Sequence, residues 1–472
     1  MFSVRREAYS NVGRYSMTGP NESWIDKLPS WARARLSGRH MLQKILSNII
    51  WLSADKVLRL GISAVIGIWM ARYLGPDQFG LLSYAAAFVA LFTPLATLGI
   101  DTILVRDLIG EDDADRRISM GTAFAMRIAG STLGAIGATI LIVAIRPGEQ
   151  VVMILVILSA LGMYAIAFDI IDLWFQSQVK AKFAVYAKNG AFIAVSAVRV
   201  ALLLLHAPLM AFAWATLAEL LLGAAALVFM YHRKGLRLTT WQVRIERSVR
   251  FLSDSWPLTF TVMGTILYMR LGQVMLGNIM TDREVGEYSV GVRLAEAWYF
   301  LPVAISSSVF PSILSARRTD AIQYARRLKI LYGSLATIAV LVAIPTSFLS
   351  HQIIIVLFGE EYAAAGTVLA LYVWGSLPVF LGVASNQYLI AENRTQIMLF
   401  RTMLGFAVNI GLNYLLIPLL GTAGAAVAAL ISYTVATFAF ALVPDMRGHL
   451  LLMAGSLSPR FLLGEVRKVI RH

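Results

Sequence analysis

The chain has 472 residues, 58% of them hydrophobic and 14% charged, with a net charge of +14 and a mean hydropathy of +0.70. An average soluble domain carries about 25% charged residues, so a soluble protein of this composition could not cover its surface, and the chain reads as an integral membrane protein. It has no cysteine, which excludes disulfides, thiolate metal sites and thiol catalysis, and it contains neither HExxH nor GxxxxGK[ST], so no ATP site of its own is expected.

Residues 1–46 form a basic extension with Trp24, Trp31 and the stretch SWARARLSGRHMLQKIL. It resembles an interfacial amphipathic segment more than a signal peptide, which would need an apolar region and a cleavage site. A membrane crossing needs about 20 mostly apolar residues. Twelve such spans are expected, over 47–71, 79–100, 120–145, 151–174, 184–206, 210–231, 252–278, 286–312, 328–349, 363–388, 396–418 and 423–444. Pro257, Pro302 and Pro378 predict kinks in the seventh, eighth and tenth. The stretch HQIIIVLFG at 350–358 is too short to span and reads as interfacial.

If the N-terminal end is cytoplasmic, every even-numbered exit is basic. Arg106, Arg116 and Arg117 follow the second span, and Lys180 and Lys182 the fourth. Arg233, Lys234, Arg237, Arg244, Arg247 and Arg250 follow the sixth. Arg317, Arg318, Arg326 and Arg327 follow the eighth, and Arg447, Arg460, Arg467, Lys468 and Arg471 lie in the tail. The opposite loops hold only Arg72, Arg146 and Arg283. This asymmetry predicts both termini inside, and it accounts for most of the +14 without nucleic acid.

The spans divide six and six. The expected organisation is an extension (1–46), a first half (47–231), a basic linker (232–251), a second half (252–445) and a basic tail (446–472). Two internal matches agree with a duplication. DQFGLLSY (77–84) resembles REVGEYSV (283–290), which sets Gly80 over Gly286 and Ser83 over Ser289. HAPLMAFAWATLAELL (206–221) resembles LLGTAGAAVAALISYT (419–434). Repeated halves are typical of transporters with a midplane site at the repeat interface.

Charges inside spans are costly and face protein or a water-filled cavity. Lys188, Arg401 and Asp254 lie near the cytoplasmic ends of their spans, where a long basic side chain reaches back to the interface. Arg59, Arg127, Arg199, Arg270, Arg293 and Glu296 lie deeper. Asp55 and Arg59 are four apart on one helix face, acid before base, and Lys56 adjoins them. That group reads either as a local salt bridge that lowers the insertion cost or as one wall of a hydrated cavity. Arginines in five spans favour the cavity, and the candidate anion-binding residues are Arg59, Arg127, Arg199, Arg270 and Arg293. Arginine keeps its proton when desolvated and grips phosphate oxygens in pairs, so the expected substrate carries a phosphate, a diphosphate or another acid. Asp55, Glu219 and Glu296 are candidates to bind a coupling proton or sodium ion; no other cofactor is expected.

ARYLGPDQFGLLSYAAAFVALFTPLATLGIDTILVRDL (71–108), FDIIDLWFQSQVKAKFAVYAKNGAFIAVSAVRVALLLL (168–205) and LLIPLLGTAGAAVAALIS (415–432) resemble segments of the Wzx-type polysaccharide-biosynthesis flippases. These belong to the multidrug/oligosaccharidyl-lipid/polysaccharide exporter superfamily. The resemblance implies an all-α membrane protein of two six-helix halves around a central cavity, in the cytoplasmic membrane. It also implies transport of polyprenyl-diphosphate-linked oligosaccharide by alternating access, with other polysaccharide-assembly proteins as partners. The long basic extension departs from the family's usual short start.

Two other classes are weighed. A multidrug-extrusion cation antiporter would share the architecture, but its cavity should favour acids over arginines. A membrane glycosyltransferase or polymerase finds only the Asp113-Ala114-Asp115 pattern within EDDADRR (111–117), in a short loop with no nucleotide-binding domain around it. The chain is therefore expected not to be an enzyme.

Overall fold

The computed structural model describes residues 40–457 except 393, with side chains from residue 58 onward except 258 and 318. Readings on the extension before residue 40, on the tail beyond 457 and on the side chains of Asp55 and Lys56 lie outside the described residues. Within them the chain is helical throughout, without strands. In order the helices are α1 His40–Ala90, α2 Thr93–Thr97, α3 Asp101–Gly110, α4 Asp113–Ile145, α5 Gln150–Leu161, α6 Met163–Ile166, α7 Asp169–Ser177, α8 Lys182–Leu204 and α9 Leu209–Arg233. They continue as α10 Ile245–Ile279, α11 Asp282–Glu296, α12 Phe300–Thr319, α13 Ala321–Phe358, α14 Ala365–Tyr372, α15 Ser376–Ala391, α16 Thr395–Phe438 and α17 Arg447–Ser456.

Among the described residues, eight helical stretches are long and apolar enough to cross a membrane, and a bent pair built from α1, α2 and α3 makes a ninth. Two of these stretches contain a reversal. In α1 the chain turns at Gly75, whose φ of 70° suits glycine and is followed at once by Pro76. In α16 it turns at Gly421, φ 55°. After Gly421 the helix packs back on itself: Asn409 Nδ2 donates to Ser432 Oγ at 3.2 Å, and Gly424 lies against the Leu416 carbonyl. The protein is a multi-pass membrane protein, with large side chains such as Leu133, Ile140, Trp214 and Phe348 exposed around its periphery where lipid would lie.

The prolines act more selectively than expected. The eighth span breaks after Glu296 and resumes at Phe300, so Pro302 falls in the first turn of α12, where a missing N–H costs nothing. Pro378 occupies the same position in α15, after a short 3-10 turn at Val373–Gly375. Pro257 sits inside α10, which continues through it. The fourth span is broken too, at Gly162 and again at residues 167–168, with no proline as a signal. The stretch 350–358 is not a separate interfacial segment. It prolongs α13, and Ile354 and Phe358 are buried in the core.

The glycines paired by the internal match meet in space. A Cβ on Gly80 would lie 1.7 Å from the Asp282 carbonyl oxygen, and one on Gly286 would lie 2.1 Å from that of Pro76. With its offset of 206, that match also sets Pro76 over Asp282, so the contact maps onto itself when the repeats are exchanged. α1 and α11 thus cross backbone to backbone, which side chains would forbid. The basic linker is docked rather than loose. Gln242 N donates to Arg117 O at 3.2 Å, Arg244 N donates to Thr122 Oγ1 at 3.1 Å, and Arg247 pairs with Glu111.

Candidate functional site

α11 begins with a capping box, in which Thr281 and Glu284 satisfy each other's backbone donors, and its Gly286 seats it on α1. That register brings Arg293 and Glu296, three residues apart near its far end, against a cavity of about 780 Å³. The walls come from both arms of α1, from α5 and α6, and from α8, α9, α11 and α12. A smaller chamber of about 280 Å³ opens beside it, lined by Ser83, Gln273, Ser289 and Arg270. Ser83, Ala86, Arg293 and Glu296 line both, so Arg293 stands at the junction.

Of the five arginines singled out from depth, Arg199, Arg270 and Arg293 face these chambers. Arg199 on α8 pairs with Glu219 on α9 at 2.8 Å and donates to Thr216 Oγ1 at 3.2 Å. Arg270 on α10 pairs with Glu296 at 3.1 Å. The other oxygen of Glu296 accepts from Tyr372 OH at 3.1 Å, and Tyr372 shares a 2.5 Å hydrogen bond with Tyr433. Arg293 is exposed to the cavity, with its guanidinium 5.1 Å from the Phe79 ring centre and no carboxylate partner among the described residues. Among the described residues, these three arginines against two glutamates leave one net positive charge, and it resides on Arg293.

The remaining candidates lie elsewhere. Arg59 is half-buried with its guanidinium 5.0 Å from the Phe192 ring centre; Phe192 lines the large chamber, but Arg59 itself does not. Arg127 is buried away from both chambers. It pairs with Asp101 at the start of α3 and donates to the Ile166 carbonyl at 3.1 Å, which ties α3, α4 and α6 together. Among the candidate coupling acids, Glu219 and Glu296 are both held by arginine.

Two snorkelling expectations are corrected. Lys188 is gripped by Asp169 and Asp172, both at 2.8 Å. Arg401 is buried and donates to Ser385 Oγ, to the Gly382 carbonyl and to Asn386, because α15 offers it three acceptors on one face. Sequence reasoning missed Arg146, which reads as a loop residue. It is buried and joins the turn between α4 and α5 to the turn between α10 and α11. It pairs with Glu149 at 3.0 Å and Asp282 at 2.9 Å, donates to Asn278 Oδ1 and the Gly277 carbonyl, and lies over the Tyr84 ring. Tyr372, Tyr433 and Gln273 were also missed, since uncharged polar residues in an apolar run leave no depth signal. Ser83 and Ser289 had one: they are partners in the internal match, and both line the small chamber.

This geometry defines a multi-pass helical bundle with a net positive central cavity. The same fold occurs in solved structures of an inward-facing MATE family multidrug resistance transporter of the MOP superfamily (TM-score 0.61, 14% identity, 87% of this chain and 98% of that one) and of the lipid II flippase MurJ (TM-score 0.62, 14% identity, 87% and 91%). The profile for polysaccharide biosynthesis proteins matches residues 45–316, and the chain belongs to that family. Two curated relatives come from Haloferax volcanii. The probable flippase AglR is 33% identical over 172 residues, 35% of this chain and 36% of AglR. The probable low-salt glycan biosynthesis flippase Agl15 is 25% identical over 178 residues, 37% of each protein. The matched region spans little more than a third of each relative's length.

Proposed function

We propose that the protein is a flippase for polyprenyl-diphosphate-linked oligosaccharide in the cytoplasmic membrane, a transporter and not an enzyme. The single observation that carries this reading is Arg293, an arginine without a carboxylate partner among the described residues, at the junction of two chambers deep in the helical bundle. A guanidinium that faces a cavity favours anions, and its fork suits phosphate oxygens. The relatives' names as flippases and the family's role in polysaccharide biosynthesis agree with that chemistry. Lipophilic drug cations would be repelled by the same charge.

The membrane is crossed twelve times. Nine candidate crossings, the reversals at Gly75 and Gly421 and the more polar α10 add up to that number. Both termini are cytoplasmic by the loop-charge asymmetry, with halves at 47–231 and 252–445 joined by the linker 232–251 and flanked by the basic extension and tail. Transport proceeds by rocking of the halves about the Gly80–Gly286 contact. Energy comes from a proton or sodium gradient, with Glu296 and Glu219 released from their arginines as the diphosphate arrives; Asp55 is the third candidate acid from the sequence. Other polysaccharide-assembly proteins supply and consume the substrate.

Arg293→Ala and Arg270→Ala should each abolish polysaccharide export while the protein still inserts at the wild-type level. Normal export by both variants would remove the cationic-cavity mechanism.

A further inference from the structure

The large chamber is rich in hydroxyls, and they come from helices other than the one that carries Arg293. Among the described residues they are Ser63 and Ser83 on α1, Thr93 on α2, Ser159 on α5, Ser196 on α8 and Thr216 on α9, whereas α11 brings the charges of Arg293 and Glu296. Ser196 is the most telling of them. Its Oγ is buried and has no hydrogen-bond partner among the described residues, although it borders the chamber. A buried hydroxyl left in that condition costs about 1–3 kcal/mol, and a ligand in the chamber could relieve it. Arg199 lies three residues further along the same face of α8. Glu219 and Thr216 engage two of its five N–H groups, which leaves donors for a ligand. The pair of Arg199 and Glu219 has no net charge. It offers hydrogen bonds without a preference for anions, which suits a sugar hydroxyl better than a second phosphate.

These groups share a level with Arg293. Tyr73 OH donates to the Ala207 carbonyl at 3.0 Å, so the α8–α9 turn lies beside the reversal of α1, and that reversal packs on the start of α11. Arg146 ties the start of α5 to the same place through Asp282. Counted from the helix ends on that side, Ser159, Ser196, Thr216 and Arg293 all lie about 10–17 Å deep. α1 closes the gap between them. A Cβ on Gly67 would lie 3.0 Å from Arg293 Nη1, and Ser63 is one turn from Gly67 on the same helix face.

We infer that Ser63, Ser159, Ser196, Arg199 and Thr216 form a glycan subsite. It binds the hydroxyls of the sugar that is joined to the diphosphate, while Arg293 holds the diphosphate itself. The inference rests on the flippase reading above and deepens it: one substrate molecule is held by α8 and α9 through its sugar and by α11 through its phosphates. A sugar carries a hydroxyl on nearly every carbon, and each needs a partner once it leaves water. The chamber of about 780 Å³ lies within the range of about 300–1,000 Å³ usual for small-molecule pockets.

The test uses the full-length protein in phosphatidylcholine nanodiscs. The probes are farnesyl diphosphates whose second phosphate carries glucose, galactose, N-acetylglucosamine or, as a reference of equal charge, a methyl group. At least one glycosylated probe should bind about tenfold more tightly than the methyl ester. The double variant Ser196→Ala/Thr216→Val should lose that gain and bind the methyl ester as the wild type does, which also shows that it is folded. Ser63→Ala, at an exposed position in the chamber, should lose part of the gain and serves if the double variant does not fold. Arg293→Ala should weaken every probe. Equal affinity for all four probes, lost in Arg293→Ala, would overturn the glycan subsite and leave the flippase reading standing. A gain that survives in Ser196→Ala/Thr216→Val and Ser63→Ala but vanishes in Gln273→Leu would place the sugar in the smaller chamber and overturn the subsite as well. No Arg293-dependent binding of any probe would instead overturn the flippase reading itself.

Discussion

At the scale of single residues, what separates a structural arginine from a functional one is its partner. Arg127 and Arg293 give the same signal in the sequence, a guanidinium deep in an apolar run. Arg127 is neutralised by Asp101, which lies 26 residues away and outside the same span, whereas Arg293 faces open cavity. Depth was legible because burying arginine is expensive wherever it occurs; pairing was not, because it depends on which helices meet. Glycines divide in the same way. Gly80→Ala would push a methyl group into the Asp282 carbonyl and should destabilise the protein by about 1–3 kcal/mol, measured by thermal unfolding in detergent. Gly190→Ala, a helical position with nothing within 4 Å, should be neutral or stabilise by up to about 1 kcal/mol. Equal effects at the two sites would contradict the close crossing of α1 and α11. His449 supplies a pH test. Burial, helped by the positive charge of Arg401, holds its imidazole down at about 4. It stacks on Tyr388 and shares a 3.0 Å hydrogen bond with Tyr332 OH. The group folds neutral, so its stabilising effect is complete above the unfolded value of about 6.5 and is lost as pH falls from there towards 4, about 3 kcal/mol in all. Thermal stability should therefore drop over that window, and His449→Gln should flatten the drop; an unchanged profile would show that His449 is not buried in solution.

At the scale of elements, hydropathy located the spans but not their interruptions. A break needs only a few residues without regular hydrogen bonds, and those residues are as apolar as their neighbours. The fourth span breaks at Gly162 and 167–168 within GMYAIAF, which carries neither charge nor proline. The eighth breaks after Glu296, which ends α11 just past Arg293 and lets α12 diverge. Arg146 was misread for the opposite reason. A lone arginine in a short loop looks solvated, and only the neighbouring turn at 277–282 makes it a bolt between the α4–α5 and α10–α11 turns. If it holds that side of the cavity shut, Arg146→Ala should open it. The chain has no cysteine, so Ser83→Cys provides a single reporter in the small chamber. A membrane-impermeant maleimide added from the Arg146 side should label Ser83→Cys several-fold faster in the Arg146→Ala background, on the expectation that a buried ion pair is worth several kcal/mol when one partner is removed. Identical labelling rates would show that Arg146 stabilises the fold without gating it.

At the scale of the whole molecule, two patterns in the sequence carry the account. The loop-charge asymmetry predicts the orientation of the chain, and the internal match predicts a repeat, whose paired glycines lie in contact. The repeat places the charged cavity beside its own interface, where rocking of the halves would expose Arg293 alternately to either side. The division of that cavity into a large and a small chamber was not legible. It depends on which faces of several helices turn inward, and apolar residues look alike whether they meet lipid, protein or a ligand.

The measurement that tests the central claim most directly is the leaflet on which lipid-diphosphate-linked oligosaccharide resides in cells lacking the protein. The account predicts that complete oligosaccharide units accumulate on the cytoplasmic leaflet, that the wild-type gene restores their transfer, and that Arg293→Ala does not. Units reaching the outer leaflet at the normal rate without the protein, with no second transporter present, would contradict it.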